Sequence, residues 1–377
     1  MNNLHPYVPG EQPKDRVYIK LNANENPYPP CREVIEKASV FIRENPKALS
    51  LYPDPDSLSL HKAIADMLNQ TGGVLCRAQI DGKNVSPAEE DKIPFQVTPD
   101  MIYTGNGSDE VLSFVFYAFF SSNEKLALPE FTYSFYPVYA GFYDIPMETI
   151  PMKEDWSIDT DKLLEKAKEN NSGIIFANPN APSGLGLTRQ QVRQMLLKAN
   201  PEKIFVVDEA YCDFGGESSI PLLKEFKNLV IVRTFSKSLC GAGQRLGFIV
   251  ASPELVNAVT TVKNSLNHFP LDALSQVTGE EACKNACYYA DCAKKVCKER
   301  DSFISFLKDK GWFVNPSQTN FVLARSPKMA GKEVYEFIKK HGILVRHFAS
   351  KGIEDYVRIT IGTEEEMKAL KDVINLM

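Results

Sequence analysis

The chain has 377 residues, 44% hydrophobic and 24% charged, with a formal net charge of −5. That balance fits a soluble globular protein large enough for more than one domain, and the negative sum disfavours nucleic acid as the main partner. Met1–Lys20 has no charged stretch followed by an apolar one, so export is not expected, and the longest apolar stretch, around Phe114–Phe120, is too short to span a bilayer. Eight cysteines in such a chain read as reduced thiols of a cytoplasmic protein.

Residues 1–30 are rich in proline and asparagine and read as an N-terminal arm. Helices are expected over Cys31–Glu44 and Ser57–Leu68, whereas the polar stretch 72–94 takes no element from its pattern. Short apolar runs then predict strands at Met101–Thr104, Lys125–Leu128, Gly173–Ala177, Ile204–Val207, Leu229–Arg233 and Phe248–Ala251. Amphipathic helices at Asp159–Glu169 and Thr188–Lys198 lie between some of them. This alternation indicates an α/β large domain over 31–263, with a mostly parallel sheet covered on both faces. One long helix is expected over 275–309. It leads into the strands of a smaller α+β domain, 264–377. Cys283, Cys287, Cys292 and Cys297 scatter around that helix without a histidine among them, so no metal is expected.

In an open α/β sheet, ligands gather beyond the carboxyl ends of the strands. Met101–Thr104 is followed by Gly105-Asn-Gly-Ser-Asp-Glu110 and a helix, where glycines and free N–H groups can hold a phosphate. Ser108 or Asp109 as a plain helix cap explains that stretch equally well. Gly173–Ala177 is followed by the turn Asn178-Pro-Asn-Ala-Pro-Ser-Gly184, and Ile204–Val207 by Asp208-Glu-Ala-Tyr211. Leu229–Arg233 runs on to Ser236-Lys237, with Arg245 beyond a glycine-containing stretch. Singly, Asp208 reads as an N-cap and Lys237 as a solvated lysine. Together they supply an amine to condense with a pyridine aldehyde, an acid to keep the pyridine nitrogen charged, a phenol for the ring oxygen, and Arg245 with Ser236 for a phosphate.

These residues resemble the class I/II aminotransferases of the pyridoxal-phosphate-dependent fold type I. The resemblance runs through Tyr7, Leu21-Asn-Ala-Asn-Glu25, Leu51-Tyr-Pro53, Gly107–Glu110, Pro129–Tyr133, Asp208–Tyr211, Ser236-Lys237, Arg245, Asn320-Phe321 and Val357–Thr360. It implies a seven-stranded large-domain sheet, pyridoxal 5'-phosphate as cofactor, and a homodimer with shared active sites. It also implies a cofactor set of Gly107, Ser108, Asp109, Tyr133, Asn180, Asp208, Tyr211, Ser236, Lys237 and Arg245, with Tyr133 stacked on the ring. Tyr52 is similar to the tyrosine that reaches the partner's phosphate. Tyr7, Asn24, Arg346 and Arg358 are the implied substrate contacts. For Arg346 a surface salt bridge, and for Tyr7 an aromatic anchor of the arm, remain alternatives.

The implied activity is transfer of the amino group of L-histidinol phosphate to 2-oxoglutarate. The same scaffold also serves aromatic amino acid transamination and threonine-phosphate decarboxylation. A non-catalytic cofactor-binding sensor is a further alternative, disfavoured because the resemblance begins near Met1. The chain departs from the family pattern at three places. Ala181 stands where many relatives carry a second ring-oxygen asparagine, Phe269 stands in a region that often carries a substrate-facing tyrosine, and 72–94 is longer than the usual connection.

Overall fold

The computed structural model describes Pro6 and residues 10–377, so the expected substrate contact Tyr7 lies outside the described residues. Ahead of the main sheet the chain forms three short strands, β1 (Ile19–Lys20) and the hairpin β2 (Gln79–Asp81) and β3 (Asn84–Ser86). The large-domain strands follow: β4 (Ile102–Asn106), β5 (Leu126–Pro129), β6 (Met147–Ile150), β7 (Ile174–Ala177), β8 (Phe205–Asp208), β9 (Leu229–Thr234) and β10 (Leu246–Ala251). Five of them form one sheet in the order β4–β10–β9–β8–β7. Strands β7, β8 and β9 are parallel, and β10 runs antiparallel to both its neighbours. Strands β5 and β6 make a separate parallel pair, with β5 packed beside β7. The seven expected strands are thus present as ladders of five and two.

Every residue of β7, β8, β9 and β10 is buried, which is why these strands read as continuous apolar runs. Their side chains alternate between two cores. Phe205, Val207, Leu229 and Ile231 face one, while Val206, Val230 and Val232 face the other beneath the helix Gly107–Phe119. Strand β6 escaped the sequence reading because Met147-Glu-Thr-Ile150 buries only Ile150 and has no apolar run.

The C-terminal part contains β11 (Phe313–Val314), β12 (Phe321–Arg325), β13 (Ile343–Leu344), β14 (Arg346–His347) and β15 (Val357–Thr360). An antiparallel sheet takes the order β11–β12–β15–β14. Strand β1 pairs in parallel with β13, which fastens the arm to this C-terminal part. The expected single helix over 275–309 is instead two, Ala273–Lys284 and Ala286–Asp309. The Asn285 side chain donates to the Glu281 carbonyl at 2.8 Å, a local bond that competes with helix continuation.

The stretch 72–94 is ordered around the β2–β3 hairpin. Its root is held by Asp91, 0% exposed, between Arg77 at 2.6 Å and Arg189 at 3.0 Å. Gly72 has φ +67° and sits so close to the Asp91 carbonyl that a Cβ there would collide with it. Among the described residues no helix is long and apolar enough to cross a membrane, and no cluster of three metal-ligating side chains occurs.

Candidate active site

Strand β8 is apolar up to its last residue, so the carboxylate of Asp208 emerges at the carboxyl edge of the sheet. It is 4% exposed. Its Oδ2 accepts a hydrogen bond from the Tyr136 hydroxyl at 2.8 Å and its Oδ1 from the Ala210 N–H at 3.1 Å. Burial pushes the carboxyl up to about 6 despite these two bonds. Burial also pushes the Tyr136 phenol well up, with Asp208 reinforcing it, so Tyr136 remains a donor. A buried carboxylate held this way suits a cationic partner such as a protonated pyridine nitrogen.

Asp208 opens onto a cavity of about 510 Å³ that it shares with Tyr211, Ser236 and Lys237. Lys237 reaches it from the loop after β9, with Nζ 5.6 Å from the centre of the Tyr211 ring. Its main-chain carbonyl accepts from Asn26 Nδ2 at 2.9 Å. Behind this loop, Arg233 is buried between Glu209 at 3.0 Å and Asp213 at 3.1 Å, and Asp213 also accepts from the Ser238 hydroxyl at 2.5 Å. This buried network holds the residue next to Lys237 in place.

The same cavity is lined by Ser108, Asp109, Tyr133 and Arg245. Gly107 opens the helix Gly107–Phe119 at φ +75°, and a Cβ there would strike the Arg245 guanidinium. Glycine is therefore what lets an arginine lie across the helix start, a combination suited to a phosphate. The residue at the cap position is Asn106, without a side-chain cap bond, so neither Ser108 nor Asp109 is the cap. Asp109 instead accepts from the Tyr133 hydroxyl at 2.7 Å and from Arg245 at 3.3 Å.

Two expected contacts are placed differently. Asn180 does not line the cavity: its Nδ2 donates to the Phe131 carbonyl at 2.9 Å and to Ser183 Oγ at 3.2 Å, and Ala181 takes the lining position. Asn24 likewise stands outside the lining, where its Nδ2 donates to Tyr211 Oη at 2.9 Å. Tyr52 is 82% exposed and stacks on Phe269 with ring centres 4.5 Å apart, outside this chain's own cavity.

Arg346 and Arg358 face one another in the register of β14 and β15. They line a second cavity of about 150 Å³ with Gly10, Glu11, Lys20 and Asn22, and it shares Gln12 and Ala23 with the larger one. Both guanidiniums lie against the Phe348 ring, at 5.7 and 5.6 Å, and Arg358 also lies over Phe321 at 5.2 Å. Phe348 and Tyr136 had no sequence signal beyond being aromatic. Of the arm residues, Gln12 lay outside the quoted motifs, and Asn22 lay within Leu21–Glu25 with nothing to single it out from its neighbours.

The amine, the acid, the phenol and the arginine at the helix start fit pyridoxal phosphate, and the buried Asp208 is the observation that tests the fit. The model of the aminotransferase class I and II family matches residues 16–374. The histidinol-phosphate aminotransferase of Syntrophus aciditrophicus (strain SB) is 44% identical over 369 residues, 97% of this chain and 94% of that protein. That of Chromohalobacter salexigens is 39% identical over 375 residues, 99% and 96% of the two chains. The solved histidinol-phosphate aminotransferase from Sinorhizobium meliloti in complex with pyridoxal-5'-phosphate has the same fold. It gives a TM-score of 0.79 at 21% identity and covers 96% of this chain and 92% of that one. With a family match that runs nearly from end to end, the chain belongs to the aminotransferase class I and II family.

Proposed function

We propose that the protein is a pyridoxal-phosphate-dependent transaminase that moves an amino group between L-histidinol phosphate and 2-oxoglutarate, a step of histidine biosynthesis in the cytoplasm. The observation that carries this reading is the pair Arg346 and Arg358 in a small cavity that adjoins the lysine cavity. Two guanidiniums suit a phosphate dianion beside the reacting amine, and either can also take a carboxylate. The names of the relatives point to the same substrate.

Bound in the larger cavity, pyridoxal phosphate supplies an aldehyde and an electron-accepting ring. Asp208 would hold the proton on the ring nitrogen, and Tyr211 would donate to the ring oxygen. Arg245, Ser236 and the helix start at Gly107 and Ser108 would hold the phosphate, with Tyr133 against the ring. Lys237 Nζ would take the proton from the substrate carbon and return it to the cofactor carbon as general base and acid. Arg358 and Arg346 would keep the substrate's anionic end in the annex, so the amine faces Lys237.

A homodimer with shared sites belongs to the same reading. Leu49, Leu51, Tyr52, Leu58 and Leu266 are large apolar side chains left exposed, and this supports a covering partner. Residues 31–263 would form the cofactor domain and 264–377 the smaller domain.

The test is a panel of L-histidinol phosphate, phenylalanine, tyrosine and threonine phosphate, each with 2-oxoglutarate. The expected result is a kcat/KM for histidinol phosphate about 100-fold above the others. Preference for an aromatic amino acid, or loss of carbon dioxide from threonine phosphate, would overturn the substrate assignment.

A further inference from the structure

Asn24 is 2% exposed, stands between the lining residues Ala23 and Glu25 without lining the cavity itself, and meets Tyr211 at its hydroxyl. Its backbone has φ 55°, a left-handed conformation that asparagine tolerates. Its main-chain N–H donates to Thr360 Oγ1 at 3.0 Å, and the Asn320 side chain donates to its carbonyl at 3.0 Å. The Thr360 hydroxyl has one proton, which goes to Asn24 Oδ1 at 3.2 Å. With the amide oxygen turned to Thr360, the amide nitrogen faces Tyr211 and donates to its Oη. A phenol oxygen that accepts from Asn24 does not send its own proton there. That proton is left to point into the cavity.

We propose that Asn24 is a positioning residue that fixes the direction of the Tyr211 hydroxyl, so that it donates to the ring oxygen of the cofactor. This rests on the reading in which pyridoxal phosphate occupies the larger cavity. The role matters more here because Ala181 offers no second side-chain donor at its place in the lining. Thr360 and Arg358 are two residues apart on β15 and so share a face of the strand. Arg358 also lies over Phe321, whose ring stands perpendicular to that of Tyr211 with centres 5.1 Å apart. The strand that grips the substrate's anion therefore also sets the phenol's direction.

The experiment is a pH titration of the visible absorbance of the full-length holoenzyme, which needs no turnover. A donor to the ring oxygen favours its anionic form, so losing that donor raises the midpoint. Asn24→Asp keeps the shape but only accepts, which turns the Tyr211 proton away from the ring. Its midpoint is expected to rise by about one unit, toward that of Tyr211→Phe. Thr360→Val, which adds no charge and leaves Asn24 intact, should give a smaller rise by releasing the amide. The double variant Asn24→Asp/Tyr211→Phe should match Tyr211→Phe alone. An unchanged midpoint in Asn24→Asp or in Thr360→Val would overturn the proposal. A rise from Asn24→Asp that persists in the Tyr211→Phe background would overturn it too, because it would come from the added charge alone. A wild-type protein in which borohydride fixes no cofactor on Lys237 would instead sink the cofactor reading, and the positioning role with it.

Discussion

Asp208 ends the buried strand β8 with Tyr211 three residues on, and Lys237 follows the buried run 229–236 that continues the neighbouring strand β9. Arg346 and Arg358 meet Gln12, Lys20 and Asn22 only because β1 pairs with β13 and brings the arm across the C-terminal sheet. The first region is shaped by local chain direction within one sheet. The second exists only after two distant parts of the chain have docked. In the proposed reading a site built this way would separate its tasks, with the chemistry at the sheet edge and the substrate at the docked edges. Damage to the first should therefore appear in kcat, and damage to the second in KM.

The largest expected effect is at the sheet edge. Lys237→Ala should lower kcat by roughly four orders of magnitude or more, read by single-turnover ketone formation. Full activity in that variant would remove the contrast altogether. Asp208→Asn should retain the fold and lose about 100- to 1,000-fold in kcat. It should also change stability in the cofactor-free protein. The Asp208 carboxyl sits at about 6, against an ordinary 3.8. Between those pH values the folded chain keeps a proton that the unfolded chain has released, so stability is lost as pH rises through this window. The loss is on the order of 3 kcal/mol, and the asparagine variant should not show it. Urea unfolding of both proteins at pH 4.5 and pH 7.5 should read about 2 kcal/mol of it, the part of the window above pH 4.5.

At the docked region the effects should be smaller and of another kind. Arg358→Lys should raise KM for the phosphorylated substrate about 10- to 100-fold with little change in kcat, since lysine loses the forked contact. Phe348→Leu should move KM the same way by only about three- to tenfold, because it removes the ring beneath both guanidiniums. A fall in kcat with KM unchanged would break the division of labour. The smallest effect is expected for Ala181→Asn, which adds a donor to the lining. It should lower the pH midpoint of the holoenzyme's visible absorbance by about half a unit, and an unshifted or raised midpoint would refute this.

The same contrast explains what could be read from the sequence. Asp208 and Lys237 were legible because a charged side chain ends an apolar run at a strand edge, and one sheet places such ends side by side. Tyr136 was not legible, because its bond to Asp208 joins residues far apart in sequence through a short helix, Tyr136–Phe142. Asn24 was expected to touch substrate because it sits in the Leu21–Glu25 motif. Only the position of Thr360 shows that it turns toward Tyr211 instead. Asn180 was one residue out of place, a difference set by the turn that commits its amide to Phe131. Within 72–94 the Asp81-Gly82 pair is an ordinary hairpin signal, but the polar strands around it bury almost nothing and gave no periodicity.

That hairpin has a practical use. At Gly82, on its tip, a side-chain carbon would meet nothing within 4 Å, whereas the root is locked by Asp91 between two arginines. Added peptide between Gly82 and Lys83 would project into open space and leave the anchoring ion pairs intact. The tip is thus the place to graft an epitope or tether the enzyme to a resin, because the load falls on Arg77 and Arg189 rather than on the loop that carries Lys237.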